Sequence, residues 1–577
     1  MSKEEKGQGS GSSTPSNTFG DVPPAYDNTS DNFVVVQDES WATRNGLNLR
    51  SFGKRAGHTG GVADELERNM KPRHLHMIAI GGSIGAGFFV GSGGALATGG
   101  PGSLLIDFLI IGVMMFNVVY ALGELSVMFP VSGGFYTYST RFISPVWGFA
   151  MGWNYVMQWC VVLPLELTVC GITIGYWNDS ISVAVWITIF LVAVIIVNIF
   201  GTLGYAEEEF WAGCLKLGAT VVFMIIAVVL VCGGGPSGGR YDHYTGGKLW
   251  HDPGAFAHGF RGFCSVFVTA AFSFSGTELV GLAAAEAQNP VKALPGAIKQ
   301  VFWRITIFYV VGLSMVGLLV PYNDPNLLGS GAGTSQASPF VLAAKYANLK
   351  GLDSFMNVII LVSVLSIGVS AVYGGSRTLT ALAQQGYAPK IFSYIDRSGR
   401  PLFSVAVIIS LGGLAYLNLL AAGSTIFDWL LAISGLAALF TWGSICLAHI
   451  RYRSAWKQQG HTLDEIPFRA AGGVYGSWLG LFLCVIVLIA QFYVAICPAK
   501  GPRINSAEGF FKSYLAMPVV IFFFVIGWVW KGKPWIRLAE IDVDTGRREL
   551  PWEEINAHRA TLAAMPAWKR LIHTFFI

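Results

Sequence analysis

Apolar residues are grouped along this chain in about twelve stretches, each close to the roughly 20 residues that an α-helix needs to cross a bilayer. The stretches begin near residues 75, 102, 146, 180, 210, 262, 301, 352, 402, 425, 476 and 514. Polar residues dominate before the first stretch and after the last. The pattern predicts an all-α polytopic membrane protein whose membrane domain, residues 73–531, contains about 12 transmembrane helices, called spans 1 to 12.

The composition supports a membrane protein, because only 12% of the 577 residues are charged and 53% are hydrophobic. A soluble domain carries about 25% charged residues. The chain contains no phosphate-binding glycine motif, no paired carboxylates in a polar segment and no metal-ligand spacing of cysteines. We therefore expect no enzyme activity, no cofactor, no metal and no nucleic acid partner. Energy for transport must then come from an ion gradient or from exchange.

Positive charge is concentrated in alternate loops, which predicts the orientation. With the N-terminus in the cytosol, the cytosolic loops contain Arg141, Lys292, Lys299, Arg304, Arg377, Lys390, Arg397, Arg400, Arg451, Arg453, Lys457 and Arg469. Because cytosolic loops carry an excess of Lys and Arg, both termini are predicted to be cytosolic.

Two polar segments, residues 1–72 and 532–577, are predicted to be cytosolic tails. The first is rich in Ser, Gly, Thr, Asn and Asp and is expected to be disordered. It contains Pro23-Pro24-Ala25-Tyr26, whose prolines favour an extended conformation and whose tyrosine suits the aromatic groove of a WW domain. One hypothesis is that this motif recruits a WW-domain ubiquitin ligase that modifies Lys3, Lys6 or Lys54; the alternative is a chance occurrence. The C-terminal tail is expected to form helices against the transporter.

Small residues interrupt span 1 in the run Gly81-Gly82-Ser83-Ile84-Gly85-Ala86-Gly87. Glycine tolerates non-helical backbone and leaves room for a ligand to approach the main chain. Unwound backbone persists at membrane depth only where it lines a cavity, because lipid cannot satisfy its polar groups. The half-helix that begins near Phe88 would point its positive end into the interruption and suit a substrate carboxylate. The alternative is a close helix-packing seam.

Span 6 contains a second interruption, Phe274-Ser275-Gly276-Thr277-Glu278. Paired interruptions in two spans are the best sequence indication of a substrate site between inverted repeats. The carbonyl groups of Ala271, Phe272 and Ser273 end a half-helix, and their negative end suits an ammonium group. The two interruptions together therefore fit an α-amino acid. Phe272 and Phe274 are candidates to gate the site or stack on a side chain, with ordinary packing as the alternative.

Three ionisable residues inside predicted spans are taken as functional candidates, because charge is costly in a bilayer. Glu166 lies in span 3 and is assigned to substrate binding. Lys216 in span 5 and Glu278 in span 6 are assigned to proton coupling, since a buried lysine changes its charge state readily. The alternative for Lys216 is snorkelling of its head group to the cytosolic surface. Glu124, near the end of span 2, is expected to form a gate or a structural ion pair.

Several stretches carry a family resemblance: Gly82 to Gly91, Ala121 to Leu125, Ser132 to Phe135, Met157 to Trp159, Phe272 to Gly281, Lys299 to Arg304 and Ser376 to Thr378. Across nearly all of the membrane domain, the chain resembles fungal plasma-membrane amino acid permeases, particularly the general amino acid permeases. These belong to the amino acid–polyamine–organocation superfamily.

The resemblance implies a five-plus-five inverted-repeat core with broken helices 1 and 6, and with spans 11 and 12 appended. Its carboxylate-binding motif falls on Gly82 to Gly87, its ammonium-binding carbonyls on Ala271 to Phe274, and its span-5 lysine on Lys216. In span 8 the resemblance makes Ser370 a candidate contact, but Val369 stands where relatives commonly have Asn.

The function that the resemblance implies is proton-coupled uptake of L-amino acids across the plasma membrane by alternating access. We expect a broad range with a preference for neutral amino acids, although Glu166 is a candidate to accept a basic side chain. The expected partners are the amino acid, the proton and the lipid bilayer. The alternatives are a non-transporting amino acid sensor on the same fold, an exchanger that does not use protons, and a permease of narrow specificity.

Overall fold

A computed structural model describes residues 52–53, 70–131, 133–178, 180–327, 338–419, 423–500, 503–547, 552–569 and 572. The motif Pro23 to Tyr26 and the candidate acceptors Lys3, Lys6 and Lys54 lie outside these residues. The domain boundaries at residues 72 and 531 stay predictions, although the first long helix begins at Pro72 and the last apolar helix ends at Lys531.

Helices form nearly all of the described structure. In chain order they are α1 Pro72–Gly81, α2 Ser92–Met128, α3 Phe135–Phe142, α4 Pro145–Ile174, α5 Val183–Ile199, α6 Gly201–Val231, α7 Gly259–Phe274, α8 Leu279–Ala283, α9 Pro290–Arg304, α10 Leu313–Leu319, α11 Pro339–Tyr346, α12 Leu352–Gln384, α13 Leu402–Leu411, α14 Gly423–Gln458, α15 Gly473–Ile496, α16 Ala507–Tyr514, α17 Ala516–Lys531 and α18 Trp552–Ala564. Short π-helical turns extend α2 backward from Gly87 and join α9 to α10.

Nine helical segments of the described chain are long and apolar enough to cross a bilayer, or up to ten if α16 and α17, bent by 68°, form one span. The predicted all-α polytopic class is therefore confirmed, whereas the number twelve and the inverted repeat stay predictions. The number of spanning segments is lower than twelve for two reasons. The segment Gly87–Met128 continues through the predicted boundary between spans 1 and 2, so it counts as one segment. Helix α5 has only 17 residues and is therefore not counted among the nine.

Burial separates central from peripheral helices. The most apolar part of the segment Gly259–Glu286 is 94% buried, whereas the most apolar parts of α6 and α15 are each 33% buried. The buried helix α4 packs along α12 and α14, α7 packs along α2, and α1 lies between α6 and α9. Apolar side chains on the outer faces are left exposed, as expected where lipid is the solvent. The interrupted spans are therefore in the interior.

Gly100 bends the long segment that contains α2. Its backbone has φ +81°, a left-handed conformation inside an otherwise helical run, and Pro101 follows it. The loop before α7 pins the bend, because Ala257 N donates to Gly99 O at 2.9 Å and Gly102 N donates to Ala255 O at 2.7 Å. The bend therefore marks the boundary between predicted spans 1 and 2.

The segment after α17 contacts the helix bundle. Ile536 N donates to Ile143 O at 3.1 Å, and Val543 is fully buried. The Asp542 carboxylate lies 3.3 Å from the Arg141 guanidinium. Partial burial raises the pKa of Asp542, but hydrogen bonds from the Thr545 backbone and the nearby Arg141 charge outweigh burial and lower this pKa to about 2. The contact is therefore ionic at any physiological pH.

Replacing Gly100 by Ala should destabilise the protein by more than about 2 kcal/mol, because an L-residue is strained at this φ and its Cβ would clash. That Cβ would lie 2.6 Å from Ala255 O and 2.8 Å from Ala257 N. The measurement is the thermal unfolding of the detergent-solubilised variant against the wild type.

Gly94→Ala is the matched control on the same helix, because its Cβ would meet no atom within 4 Å. It should be neutral or slightly stabilising, since alanine is the better helix former. Equal stability of both variants would mean that the bend does not depend on Gly100.

Candidate functional site

The predicted interruption in span 1 lies at the end of α1. Gly82 N still donates to Ile78 O at 3.0 Å, Ile84 N turns back to Gly81 O at 3.0 Å, and helix resumes at Ala86. A Cβ on Gly82 would lie 2.5 Å from Ile78 O, so a larger residue cannot make this turn. The sequence run thus produces a short unwound segment between two half-helices.

The predicted interruption in span 6 faces the first one. Helix α7 ends at Phe274, Gly276 has φ +94°, and α8 begins at Leu279. A Cβ on Gly276 would lie only 2.9 Å from Gly82 O. Glycine is therefore required here both for its conformation and for the contact between the two interruptions.

A closed cavity of about 10 Å³ lies between the interruptions and α4. Six of the predicted substrate-binding residues line it: Ser83, Gly85, Ala86, Gly87, Glu166 and Phe272. Four residues that were not among the predicted substrate-binding residues complete the lining: Trp159, Val162, Ile367 and Ser275, the last of which belongs to the predicted interruption in span 6. A cavity of this size holds about one water molecule at most. An amino acid therefore fits only after the surrounding helices move.

Glu166 is 1% exposed, and its carboxylate lies near the Ala86 backbone, at the start of the second half-helix of span 1. Its Oε2 atom accepts no hydrogen bond from the described residues. A carboxylate of the protein itself thus lines the cavity beside the amides that are expected to hold a substrate carboxylate.

The predicted ammonium-binding carbonyls already accept hydrogen bonds. Ala271 O and Phe272 O accept from Ser275 N, each at 3.1 Å. Ser273 O accepts from the Tyr309 hydroxyl at 2.6 Å, and Phe274 O accepts from Thr277 N at 3.2 Å. A carbonyl oxygen has two lone pairs. Phe274 O also accepts from the Thr277 hydroxyl at 2.5 Å, so only the carbonyls of Ala271, Phe272 and Ser273 retain capacity for one further donor.

Predicted residues outside the cavity lining have other contacts. Ile84 is fully buried, and Phe274 stacks on Tyr309 with 3.9 Å between ring centroids. The Ser370 hydroxyl donates to Glu209 Oε2 at 3.3 Å, away from the cavity. Gly82, Ala271 and Ser273 contribute backbone to the contacts described above.

Aromatic side chains close the site on the side of the second half-helix of span 1. Phe88 lies 5.4 Å from Tyr309, 5.1 Å from Phe340 and 4.9 Å from Phe89, measured between ring centroids. All four rings are fully buried. Edge-to-face contacts of this kind hold rings firmly, so opening on this side requires several of them to separate.

Arg304 is a site residue whose predicted place in a cytosolic loop is wrong. It ends α9, whose helix continues through a π-helical turn, and it is 1% exposed. Its Nη1 donates to Ala79 O at 2.8 Å and its Nη2 donates to the Thr277 hydroxyl. The arginine therefore joins both interruptions to α9. Its position directly before a long apolar run did not by itself distinguish burial from solvation at the membrane surface.

Lys216 is fully buried, so the snorkelling alternative is wrong. Its ammonium lies 3.4 Å from Gly81 O and 3.5 Å from Glu209 Oε1. Glu278, the other residue assigned to proton coupling, accepts from Gly276 N at 3.3 Å and from Trp442 Nε1 at 3.1 Å. Across the described chain, no hydrogen bond or ion pair joins Lys216 to Glu278.

Buried polar contacts close the other side of the site. Arg377 Nε lies 3.2 Å from Glu286 Oε1, and its Nη2 donates to the Thr202 hydroxyl at 2.9 Å. At the start of α1, His74 Nε2 lies 3.1 Å from Glu207 Oε1. These contacts join α1, α6, α12 and the 3-10 turn Ala284–Glu286 that follows α8, so their separation would be needed to open this side.

Glu124 forms the structural ion pair that was one of its two predicted roles. Its carboxylate lies 3.0 Å from His449 Nε2 and accepts from Arg453 Nη2 at 2.8 Å and from Ala470 N at 2.7 Å. All of these partners lie at the end of α14 or in the loop that follows it. Among the described residues, no group of three His, Cys, Asp or Glu side chains is arranged to hold a metal.

Two interrupted spans that meet around a buried cavity are the architecture of a membrane transporter. Residues 74–538 match the sequence profile of the amino acid permease family. The chain is 71% identical over 542 residues to the amino-acid permease inda1 of Hypocrea atroviridis, which covers 94% of each chain. It is 50% identical over 518 residues to the general amino-acid permease GAP1 of Saccharomyces cerevisiae, covering 88% of this chain and 85% of the yeast protein. This protein belongs to the amino acid permease family.

A solved transporter of the nucleobase-cation-symport-1 family, in a closed conformation with bromovinylhydantoin bound, covers 87% of this chain and 98% of its own. The two are 12% identical with a TM-score of 0.46, a similarity too low to indicate a shared mechanism or ligand. Family membership confirms the predicted resemblance, the predicted transport of amino acids through a membrane and the prediction that the protein is not an enzyme.

Gly87→Val should weaken binding of an L-amino acid by about tenfold or more, equivalent to about 1.4 kcal/mol. The added Cβ would lie 2.7 Å from the Cα atom of Ser273 and 2.9 Å from the Phe272 ring, forcing the interrupted spans apart. The measurement is the dissociation constant of a labelled neutral L-amino acid with purified protein.

Gly94→Val is the control, because its side chain points into open space one turn beyond the π-helical segment. It should bind as the wild type does. Wild-type affinity in a correctly folded Gly87→Val protein would refute the assignment of Gly87 to the substrate site.

Proposed function

We propose that this permease takes up L-amino acids together with protons across the plasma membrane, with a broad range and a preference for neutral substrates. The observation that supports it best is the contact of two interrupted spans, with Gly276 against Gly82 O, around a cavity that holds Glu166. Alternating access, with both termini cytosolic, is the working mechanism.

The electrostatics of the two half-helices suit a zwitterion. The half-helix that resumes at Ala86 directs its positive end into the cavity, and α7 directs its negative end there from Phe274. A substrate carboxylate would take the amides near Ala86 and Gly87, and the ammonium group would take the free lone pairs of the carbonyls of Ala271 to Ser273. Since Glu166 lines the same cavity, its like charge must move away from the substrate carboxylate or be neutralised when substrate enters.

The lining of the cavity supports the neutral preference. Apart from Glu166, the lining residues carry no charge, and several are small or apolar. An acidic side chain would meet Glu166 without a compensating cation in this lining. The name of the yeast relative, a general amino-acid permease, supports a broad range. A basic side chain that pairs with Glu166 is the narrow-specificity alternative, which competition by Arg and Lys would reveal.

Lys216 is the proposed proton carrier. Its ammonium group contacts Gly81 O, which ends the first half-helix of span 1, and it is excluded from solvent. Loss of the proton would remove the charge that attracts this carbonyl and favour movement of α1 away from α6. Because a ligand shifts a conformational equilibrium only through different affinities for the two states, the protonated amine must favour the closed state.

Uptake of a labelled neutral L-amino acid should be uphill in cells that lack their own permeases, and a protonophore should abolish it. A gradient of one pH unit supports about tenfold accumulation for one coupled proton. Lys216→Met should remove accumulation because it cannot bind a proton, although exchange of internal for external substrate should continue. Uptake and efflux are measured in the same cells at matched surface expression.

Lys345→Met is the matched control, since Lys345 is exposed at the end of α11. It should accumulate substrate normally. Accumulation by Lys216→Met that still follows the pH gradient would contradict the proton role. Exchange without accumulation in the wild type would favour the exchanger. Absence of any transport despite surface expression, across a panel of amino acids, would favour the sensor.

The N-terminal motif Pro23-Pro24-Ala25-Tyr26 is proposed to bind a WW-domain ubiquitin ligase that modifies Lys3 or Lys6. Tyr26→Ala should therefore slow ligand-induced endocytosis, because the aromatic ring fills the groove of the WW domain. Endocytosis is followed by microscopy of a fluorescent fusion. A Tyr26→Ala variant that is internalised at the wild-type rate would remove this partner from the proposal.

A further inference from the structure

We propose that Glu209, Ser366 and Glu208 form the path by which the proton on Lys216 leaves toward the cytosol. The inference rests on the proposed proton coupling and extends it to three residues with no role in that function so far. Two of them lie on α6 with Lys216, and Ser366 lies on α12, which packs against α6.

Glu209 is the carboxylate that faces Lys216. The two residues are seven apart on α6, close to two helical turns, so their side chains lie on one face. Glu209 Oε1 lies 3.5 Å from Lys216 Nζ, and both side chains are fully excluded from solvent. A buried pair of this kind is stable only while each charge has its partner.

The two oxygen atoms of Glu209 have different surroundings. Oε2 accepts hydrogen bonds from the Ser366 hydroxyl at 2.7 Å and from the Ser370 hydroxyl at 3.3 Å. Oε1 accepts no hydrogen bond from the described residues and faces only the Lys216 ammonium. One oxygen atom therefore anchors the carboxylate, while the other is free to take a proton from Lys216.

Ser366 connects Glu209 to a less buried carboxylate. The fully buried Ser366 hydroxyl also lies 3.5 Å from Glu208 Oε2, within hydrogen-bonding distance, and Glu208 is half-buried. Glu207, in contrast, has a side chain that is 36% exposed and pairs with Arg73 and His74. The path thus runs from Lys216 through Glu209 and Ser366 to Glu208.

The groups that face this path come from few elements. On α6 they are Lys216, Glu208 and Tyr205, whose ring lies near Glu209. From α4, Glu166 lies close enough to interact with Lys216. Helix α1 contributes the Gly81 carbonyl, and α12 contributes the hydroxyls of Ser366 and Ser370. The π-helical turn Ile305–Gly312 also packs on α6 and contributes Tyr309, and α12 places Tyr373 and Arg377 beside Tyr205. Helices α5 and α10 pack on α6 as well but contain no titratable residue.

Release of the proton balances as a series of single transfers. An N–H bond of the Lys216 ammonium breaks and an O–H bond forms at Glu209 Oε1, leaving a neutral amine and a neutral acid. Rotation of the carboxyl group, whose terminal torsion is soft, turns the O–H toward Ser366. Ser366 takes this proton while its own passes to Glu208 Oε2, and Glu208 gives it to water. Both carboxylates and the hydroxyl are restored, and Lys216 is neutral.

The path also lies against the moving part of the proposed mechanism. A Cβ on Gly81 would lie 3.4 Å from Glu209 Oε1 and 2.9 Å from the Cα atom of Gly213 on α6. Helix α1 therefore covers the Lys216–Glu209 pair directly. Movement of α1 away from α6 would expose Lys216 and Glu209, the two residues between which the proton is transferred. Release of the proton is therefore linked to the conformational change.

The test uses the full-length protein in liposomes that contain a pH-sensitive dye, with labelled L-alanine as the probe. Ser366→Ala keeps both charges and breaks the path, so net uptake driven by a pH gradient should slow by about tenfold or more. Glu209→Gln should abolish gradient-driven uptake. In both variants, exchange of L-alanine at equal pH should continue at the wild-type rate, because exchange needs no release of the proton.

Ser363→Ala is the matched control, because Ser363 is equally buried on α12 but donates only to Ile359 O of its own helix. It should behave as the wild type in both assays. Should Glu209→Gln misfold because it leaves Lys216 unpaired, Ser366→Ala still decides the matter.

Two results would overturn the path. One is wild-type gradient-driven uptake in both Ser366→Ala and Glu209→Gln. The other is loss of exchange together with net uptake in both variants, as a purely structural role predicts. A wild-type protein that ignores the pH gradient would instead refute the proposed proton coupling itself, and the path with it. The wild-type measurement therefore separates the two failures.

Discussion

Unwound backbone in the interior of a membrane domain is the constraint on which the rest of this structure depends. Amide and carbonyl groups that leave a helix there cannot be satisfied by lipid, so protein groups must meet them. Gly276 brings its backbone against Gly82 O, and Arg304 reaches Ala79 O on one side and Thr277 on the other. Glu166 lines the cavity between the two interruptions. Each interruption is thus stabilised by the other and by the buried guanidinium of Arg304.

The same constraint explains why glycine recurs at these positions. At Gly82 a Cβ would meet Ile78 O at 2.5 Å, and at Gly87 it would meet the Ser273 Cα atom at 2.7 Å. The packing-seam alternative and the substrate-site prediction are therefore not exclusive, because the glycines that allow the breaks to touch also shape the cavity. A ligand that enters must separate surfaces which are in van der Waals contact in this closed conformation.

Both interruptions could be located from the sequence, because a run of small residues inside a long apolar stretch indicates either a break or a close helix contact. Glu166 and Lys216 could be found as well, since a charge inside such a stretch is conspicuous. Arg304 and Glu209 were missed for one reason. Each lies near the end of an apolar stretch, where a charged residue is normally solvated, and only packing against α1 shows that both are buried. Trp159 and Ile367 were missed because apolar residues on a buried helix look alike until the fold shows which of them face a cavity.

Charge balance around the interruptions ties these observations to transport. Three buried carboxyl groups, Glu166, Glu209 and Glu278, lie near the breaks with two buried cations, Lys216 and Arg304. Fully ionised, the five groups leave an excess of one negative charge in a region that excludes water, and loss of the proton from Lys216 would raise this excess to two, which is more unfavourable in a low dielectric. A zwitterionic substrate adds no net charge and cannot offset the excess. Under the proposed proton coupling, the closed site therefore retains the Lys216 proton and releases it when water reaches the site. The closed conformation and the bound proton would then stabilise each other, as coupling the entry of an amino acid to a proton gradient requires.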